Sequence, residues 1–136
     1  MIVMEIKDIF TETEKINIYK DGNATTYIAG DKPYEEILTG WNSLLDGSHE
    51  MPAYGVSLDK ETVKAMKNGL WVEFDFGKLT EYNGMPFEKL LVEVGKEFYG
   101  FNIIRYTSER GYDGRCFYID LVNKNMSDFY NILMDI

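Results

Sequence analysis

Two dipeptides constrain the fold of this chain more than any other sequence feature. Asp21-Gly22 and Asn83-Gly84 each stand between segments rich in alternating apolar and polar residues. Such a pair is the strongest short-range signal for a two-residue hairpin turn, because both of its residues must adopt positive φ angles. The first turn predicts strands over 15–20 and 25–30, with Lys20 opposite Asn23. The second predicts a hairpin of its own.

That second hairpin opens a meander of strands. From Leu70 onward, apolar residues alternate with Trp71 and Glu73, which indicates a strand with two different faces. The segment 85–94 also fits a helical period, but its valines and the preceding turn favour a returning strand. Two further strands are predicted at about 99–107 and 115–122.

Helical spacing appears in three other segments. The clearest is 31–47, where Ile37, Leu38, Trp41, Leu44 and Leu45 form an apolar stripe that ends near a glycine. Gly40 weakens this helix and suggests a close packing contact there. A shorter helix is predicted at about 59–68, with Val63 and Met66 facing inward, and a last one at 126–136. Residues 48–55 are predicted to form a loop, and residues 1–11 are ambiguous between helix and strand.

Strands grouped apart from helices indicate an α+β fold. We expect an antiparallel sheet, made of the N-terminal hairpin and a four-strand meander, packed against two central helices and a C-terminal helix. The length of 136 residues suits a single domain over 1–136. A hydrophobic content of 45% supports a packed core rather than disorder.

Charge and cysteine content narrow the classes of function. The chain has 23 acidic and 14 basic residues, so its net charge is −9, which disfavours binding to nucleic acids and to anionic membranes. No segment approaches the ~18 uncharged apolar residues of a membrane span, and the first residues lack the features of a secretory signal. A single cysteine fits a reducing compartment, so we expect a cytoplasmic protein.

The segment 98–121 contains the candidate site. It holds all three arginines, Arg105, Arg110 and Arg115, together with Tyr106, Tyr112 and Tyr118. Arginine forks suit carboxylates and phosphates, while tyrosine and arginine are common at protein interface hot spots. Two functional interpretations follow, a small anion site and a protein interface. The structural interpretation is that the arginines pair with surface acids.

The register of this hairpin has two alternatives in the sequence. A two-residue turn at Asp113-Gly114 would place Arg110 opposite Phe117. A longer loop would place Arg105 opposite Phe117. The second alternative gives a cleaner two-faced sheet, with an apolar face of Phe101, Ile103, Phe117, Ile119 and Leu121 and with Tyr106, Cys116, Tyr118 and Asp120 on the other.

Several residue types that often carry chemistry lack the partners that the chemistry needs. Cys116 matches no catalytic cysteine pattern and is interpreted as a packing residue. His49 is the single histidine, so a metal site is not expected. Glu73 and Asp75 fit either acid–base chemistry or a solvated strand face, and the solvated face is favoured.

Trp71 stands on the nominally polar face of its strand. It therefore indicates either a second packed layer or a surface for a partner. Taken with the arginine hairpin, it supports the hypothesis of a non-enzymatic binding or regulatory module that engages a protein partner. The alternative is a small-ligand protein or enzyme with an arginine-lined pocket for an anionic group. No cofactor is predicted, and pairing of exposed edge strands in a homodimer is a third hypothesis.

Overall fold

The computed structural model describes residues 6–53 and 55–136 of the chain. In this part, an antiparallel seven-stranded sheet is accompanied by four α-helices, which confirms the predicted α+β fold. The elements are α1 Ile6–Ile9, a 3-10 turn Phe10–Glu12, β1 Lys15–Lys20, β2 Asn23–Ile28, α2 Lys32–Leu45, β3 His49–Pro52, α3 Asp59–Ala65, β4 Leu70–Tyr82, β5 Met85–Val94, β6 Gly100–Tyr106, β7 Arg115–Asp120 and α4 Ser127–Met134.

Both hairpin turns form where the sequence predicts them. Asp21 and Asn83 adopt φ angles of 49° and 50°, and the glycines that follow adopt 87° and 77°. These are the left-handed conformations that a two-residue turn needs. The first hairpin has the predicted register, with Lys20 opposite Asn23.

The strand order is β2-β1-β4-β5-β6-β7-β3. The N-terminal hairpin therefore joins the meander through the pairing of β1 with β4. The prediction of a loop over 48–55 is wrong for His49–Pro52, which forms the edge strand β3 along β7. A four-residue strand that ends in proline gives too little alternating pattern to be recognised in the sequence, and proline is tolerated at a sheet edge.

One face of the sheet, which we call the helix face, packs against α1, α2 and α4. The predicted stripe of α2 is buried there except for Leu38, which is partly buried. Trp41 is fully buried, and its ring centroid lies 4.8 Å from that of Phe74 and 5.4 Å from those of Phe101 and Phe129. This aromatic centre joins two helices to two strands in one apolar core.

The helices α2 and α4 cross at Gly40. A Cβ atom placed on Gly40 would lie 2.6 Å from Cδ1 of Ile132, so a larger residue here would require the Ile132 side chain to shift. The close packing contact that the sequence suggested is therefore confirmed.

At the end of α2, Nζ of Lys124 donates hydrogen bonds to the carbonyl oxygens of Ser43 (3.0 Å) and Asp46 (2.7 Å). The lysine charge satisfies carbonyls that the helix end leaves open.

The opposite face of the sheet, which we call the loop face, carries a second and smaller cluster. Its buried members are Met66, Trp71, Leu91, Ile104 and Tyr112. Met66 follows α3 and faces inward as predicted, but Val63 is 44% exposed, so its predicted inward position is wrong. A helix of seven residues covers only part of this face, which leaves Val63 beyond the contact.

Two sequence predictions fall partly outside the described residues. The ambiguous segment 1–11 is described only from Ile6, where it forms α1 and the 3-10 turn that follows. Tyr54, which belongs to the predicted loop 48–55, also lies outside the described residues. Over 6–53 and 55–136, no helix is long and apolar enough to cross a membrane.

Candidate functional site

The strands β6 and β7 pair in neither of the predicted registers. Phe101 lies opposite Ile119, and an irregularity after Asn102 then brings Ile104 opposite Arg115. The predicted apolar face forms from its other members, but Phe117 is only partly buried, whereas Cys116 lies in the helix-face core. The predicted position of Cys116 on the opposite face is therefore wrong. A bulge shifts which residues share a face, and its place cannot be read from an alternating pattern.

Residues 107–114, which we call the arginine loop, connect these two strands. The loop closes on itself, because the N–H of Gly111 donates to the carbonyl oxygen of Thr107 at 2.7 Å and the reverse bond measures 3.2 Å. Gly111 has a φ angle of 70° and leaves space for the carboxylate of Asp59, which a Cβ atom would contact. Glycine is thus required here for both conformation and space.

Three residues of the arginine loop, Ser108, Tyr112 and Gly114, attach it to the rest of the molecule. The backbone N–H of Tyr112 donates to Oδ1 of Asp59 at 2.8 Å, and the N–H of Gly114 donates to the carbonyl oxygen of Ser57 at 2.9 Å. The hydroxyl of Ser108 donates to Oε1 of Glu88 at 2.9 Å. Hydrogen bonds from Ser108 to this carboxyl lower the pKa of Glu88. The loop therefore has a defined path over the sheet.

The three arginines of the predicted site have three different environments. Arg105 lies opposite Leu90 on the helix face, where Nη1 donates to the carbonyl oxygen of Pro86 at 3.4 Å. Its Nε is buried and has no hydrogen-bond partner in the described structure. Nε of Arg115 donates to Oγ of Ser57 at 2.6 Å on the loop face.

Arg110 is the arginine that solvent reaches most easily. Its side chain is 70% exposed, and its Nε lies 3.3 Å from Oδ2 of Asp113. An exposed ion pair of this kind contributes little to stability, so the guanidinium can exchange this partner for another carboxylate or a phosphate at low cost.

The aromatic residues of the predicted site are mostly packed into the protein. Tyr106 and Tyr112 pack with ring centroids 4.8 Å apart, and Nζ of Lys89 lies 4.6 Å from the centre of the Tyr106 ring. Tyr118 is partly buried beside β3, opposite Met51. Trp71 is only 5% exposed and donates from Nε1 to the carbonyl oxygen of Asn68 at 2.9 Å. Trp71 therefore belongs to a second packed layer on the sheet, which is one of the two interpretations that the sequence offered.

A carboxylate that the sequence analysis placed on a solvated face lies at the centre of the loop-face cluster. Glu73 is 0% exposed, so that expectation is wrong. Oε1 accepts hydrogen bonds from Nδ2 of Asn17 at 2.8 Å and from the hydroxyl of Tyr19 at 2.9 Å, while Oε2 accepts one from the hydroxyl of Tyr112. Nζ of Lys89 lies 3.9 Å from Oε1. We call these five residues the Glu73 cluster.

The Glu73 cluster compensates a charge that would otherwise be very costly to bury. A buried carboxylate is tolerated when it is hydrogen-bonded and paired. Both oxygens of Glu73 accept hydrogen bonds, and Lys89 is its charged partner. Burial, together with the charge of Glu73, raises the pKa of both Tyr19 and Tyr112 above its ordinary value. The tyrosines thus stay protonated and serve as donors. Both carboxylate oxygens of Glu73 already accept hydrogen bonds from neighbouring side chains.

No residue type in the sequence marks Glu73 as buried. The available signal was Trp71, because an aromatic residue two positions away on the same strand face indicates a covering layer. The register of β1 against β4 would have been needed as well, since it places Asn17 opposite Glu73 and Tyr19 opposite Trp71. That pairing joins two segments far apart in the chain, and the sequence of either strand alone does not indicate it.

The remaining candidate residues lie apart from the arginine loop or in the core. Burial raises the pKa of the Cys116 thiol to about 12, an effect that the positive charge of Arg105 partly offsets. A thiol with this pKa is a poor nucleophile. His49 lies on the edge strand β3, opposite Asp120. Among the described residues, no group of three or more His, Cys, Asp or Glu side chains is placed to hold a metal ion.

Comparison with known proteins adds no further constraint on the site. No protein-family model, no curated protein and no solved structure matches this chain significantly.

Proposed function

We propose that this chain is a non-enzymatic binding module that engages a protein partner through the tip of its arginine loop. The observation that carries the proposal is the 70% exposure of the Arg110 side chain on a loop that three other residues attach to the rest of the molecule. A loop already held in one conformation loses little entropy on binding. An arginine fork presented in this way suits an acidic segment of a partner.

The rest of the predicted site supports this tip from within the protein. Tyr112 and Trp71 are buried, and Arg115 is bound to Ser57, so these residues hold the loop and do not present themselves to a partner. The low reactivity expected of Cys116 argues against a nucleophilic enzyme. The single cysteine supports a location in the cytoplasm.

Affinity capture from a lysate of the native source tests the proposal. The three baits are the wild type, Arg110→Glu and the matched control Lys67→Glu, whose exposed lysine follows α3 beside the β1–β2 turn. We expect at least one captured protein to fall about tenfold with Arg110→Glu, which corresponds to about 1.4 kcal/mol, and to be unchanged with Lys67→Glu. Identical captured proteins with all three baits would contradict the proposal.

A second candidate function rests on Arg105. Its buried Nε without a partner is an unsatisfied cationic donor, which a small carboxylate or phosphate would satisfy. A thermal-shift screen of phosphorylated and carboxylated metabolites tests this candidate, because a ligand of the native state raises the unfolding midpoint by mass action. The candidate fails if no compound shifts the wild type, or if Arg105→Gln responds equally.

Self-association is a separate proposal. Ala24 and Thr26 belong to β2, which is an edge strand of the sheet and carries no charged residue or proline, two common protections of an edge. Light scattering across a range of concentrations gives the mass directly. A monomer at all concentrations would rule out pairing of this edge.

A further inference from the structure

A groove between α2 and α4 is a second surface, separate from the arginine loop. It has a volume of about 930 Å³ and is lined by residues of both helices and of the segment 123–125. Its floor, by which we mean the apolar part of its helical lining, consists of Gly40, Leu44, Phe129 and Ile132, and Tyr99 also lines the groove. We call it the α2–α4 groove.

The floor of the α2–α4 groove is apolar and firmly held. Phe129 is 1% exposed and Leu44 is 7% exposed, so both belong to the helix-face core and present only an edge to the groove. Gly40 and Ile132 pack closely, since a Cβ atom on Gly40 would lie 2.6 Å from Cδ1 of Ile132. Tyr99, in contrast, is 63% exposed and offers an aromatic anchor.

The rim of the groove is acidic. Four carboxylates, those of Glu35, Glu36, Asp128 and Asp135, face two lysines, Lys32 and Lys124. Counting these six side chains, four negative charges against two positive ones leave a net charge of −2.

Both rim lysines already have partners in the protein. Nζ of Lys32 lies 3.8 Å from Oε1 of Glu36, and Lys124 donates to the carbonyl oxygens at the end of α2. In the described part of the chain, Glu35, Asp128 and Asp135 form no ion pair. An apolar floor between uncompensated carboxylates favours a cationic partner with an apolar stripe.

We propose that the α2–α4 groove binds a basic amphipathic helix of a partner protein. The apolar stripe of such a helix would lie on the floor, and its lysines and arginines would reach the rim carboxylates. The 14 residues of α2 extend over about 21 Å at the usual helical rise, so a helix of similar length matches the groove.

Two other occupants fit the groove less well. In a small-molecule site a few polar groups converge on one point, whereas these carboxylates are spread along both helices. A second copy of this chain would bring another acidic protein, with a net charge of −9, against an acidic rim.

Selection from a displayed library of 14-residue helices tests the proposal and does not require the natural partner to be identified. The library varies both the apolar stripe and the charged flanks. Enriched helices are then titrated against the wild type, against Glu35→Lys/Asp135→Lys, and against Glu61→Lys/Glu109→Lys. The last variant changes the net charge by the same amount at exposed sites outside the groove.

We expect the enriched helices to be basic and amphipathic. The groove variant should weaken their binding at least about tenfold, while the control variant should weaken it less than about threefold. The proposal is overturned by no enrichment, by enrichment without basic residues, or by equal weakening in both variants. A change of oligomeric mass in the groove variant alone would point to a second copy as the occupant instead. The variant Arg110→Glu should bind these helices as tightly as the wild type, because Arg110 does not line the groove. Weaker binding by this variant would place the helices at the arginine loop instead.

Discussion

The two faces of the sheet are buried by different means. On the helix face, Trp41 and the surrounding aromatic rings form an apolar core between the sheet and three helices. On the loop face, a smaller apolar cluster surrounds the charged Glu73, which is held by hydrogen bonds from three side chains. The helix face is stabilised by apolar packing, whereas the loop face is stabilised largely by hydrogen bonds to a buried carboxylate.

This difference shows how a short irregular loop can be held over part of a sheet. The arginine loop has few apolar residues to bury, so its attachment depends on directional bonds, and the bond from Tyr112 to Glu73 is the most deeply buried of them. Directional bonds fix one geometry, whereas apolar contacts tolerate several. The loop face is therefore suited to present a surface residue in one conformation.

The largest expected effect is on the helix face. Trp41→Ala removes the central ring of the core and should reduce the free energy of unfolding by about 3–5 kcal/mol, through lost burial and a residual cavity. Urea denaturation measures the loss, and Trp41→Phe gives a milder truncation if the alanine variant does not fold. Leu79→Ala, at a position 66% exposed, is the control and should change stability by less than about 0.5 kcal/mol.

On the loop face, Tyr112→Phe removes one hydroxyl and keeps the ring. Because a hydrogen bond to a charged group is lost in a buried site, we expect a loss of about 1.5–3 kcal/mol in the free energy of unfolding. The same denaturation experiment applies. A loss below about 0.5 kcal/mol would mean that apolar packing alone attaches the loop, and the contrast between the faces would disappear.

The contribution of Tyr112 should also depend on pH. Its pKa is raised above the ordinary value of 10.0, so above pH 10 the unfolded chain releases a proton that the folded protein keeps. The contribution of Tyr112 to the free energy of unfolding is therefore complete below pH 10, and it declines by about 1.4 kcal/mol per pH unit above pH 10. The stability difference between the wild type and Tyr112→Phe should therefore shrink between pH 10 and pH 11 in urea titrations. A stability difference that stays constant from pH 10 to pH 11 would contradict the raised pKa of Tyr112.

The smallest expected effect concerns the tip of the loop. Arg110→Ala breaks an exposed ion pair with Asp113 and should change the free energy of unfolding by less than about 0.5 kcal/mol. Denaturation of this variant beside Tyr112→Phe separates the residues that hold the loop from the residue that the loop presents. A large loss with Arg110→Ala would make Arg110 a structural residue.

Local patterns were enough to predict most elements of the fold. The turn dipeptides, the alternation after Leu70 and the stripe of α2 depend on neighbours in the chain, and each was found where expected. The edge strand β3 was missed because it pairs with β7, a strand far along the chain. The bulge after Asn102 was missed because an alternating pattern does not show where a strand gains an irregularity.

The candidate site was less predictable than the fold for the same reason. The sequence located the arginines and tyrosines, but not which of them are exposed. Glu73 looked like a solvated carboxylate because its partners Asn17 and Tyr112 lie 56 and 39 residues away in the chain. Burial of a single polar residue is decided by which segments cover it, and one strand does not contain that information.

The position of β3 also has a consequence for folding during synthesis. His49 pairs with Asp120, so 71 residues separate the two partners and β3 stays unpaired until most of the chain has been made. At roughly 5–20 residues per second, the ribosome needs about 4–14 s to add that length. During this interval Met51 and its neighbours lack β7, the strand with which they pair in the folded protein. The β3 edge of the sheet therefore cannot be completed before β7 has been translated, although β3 is the third of the seven strands in chain order.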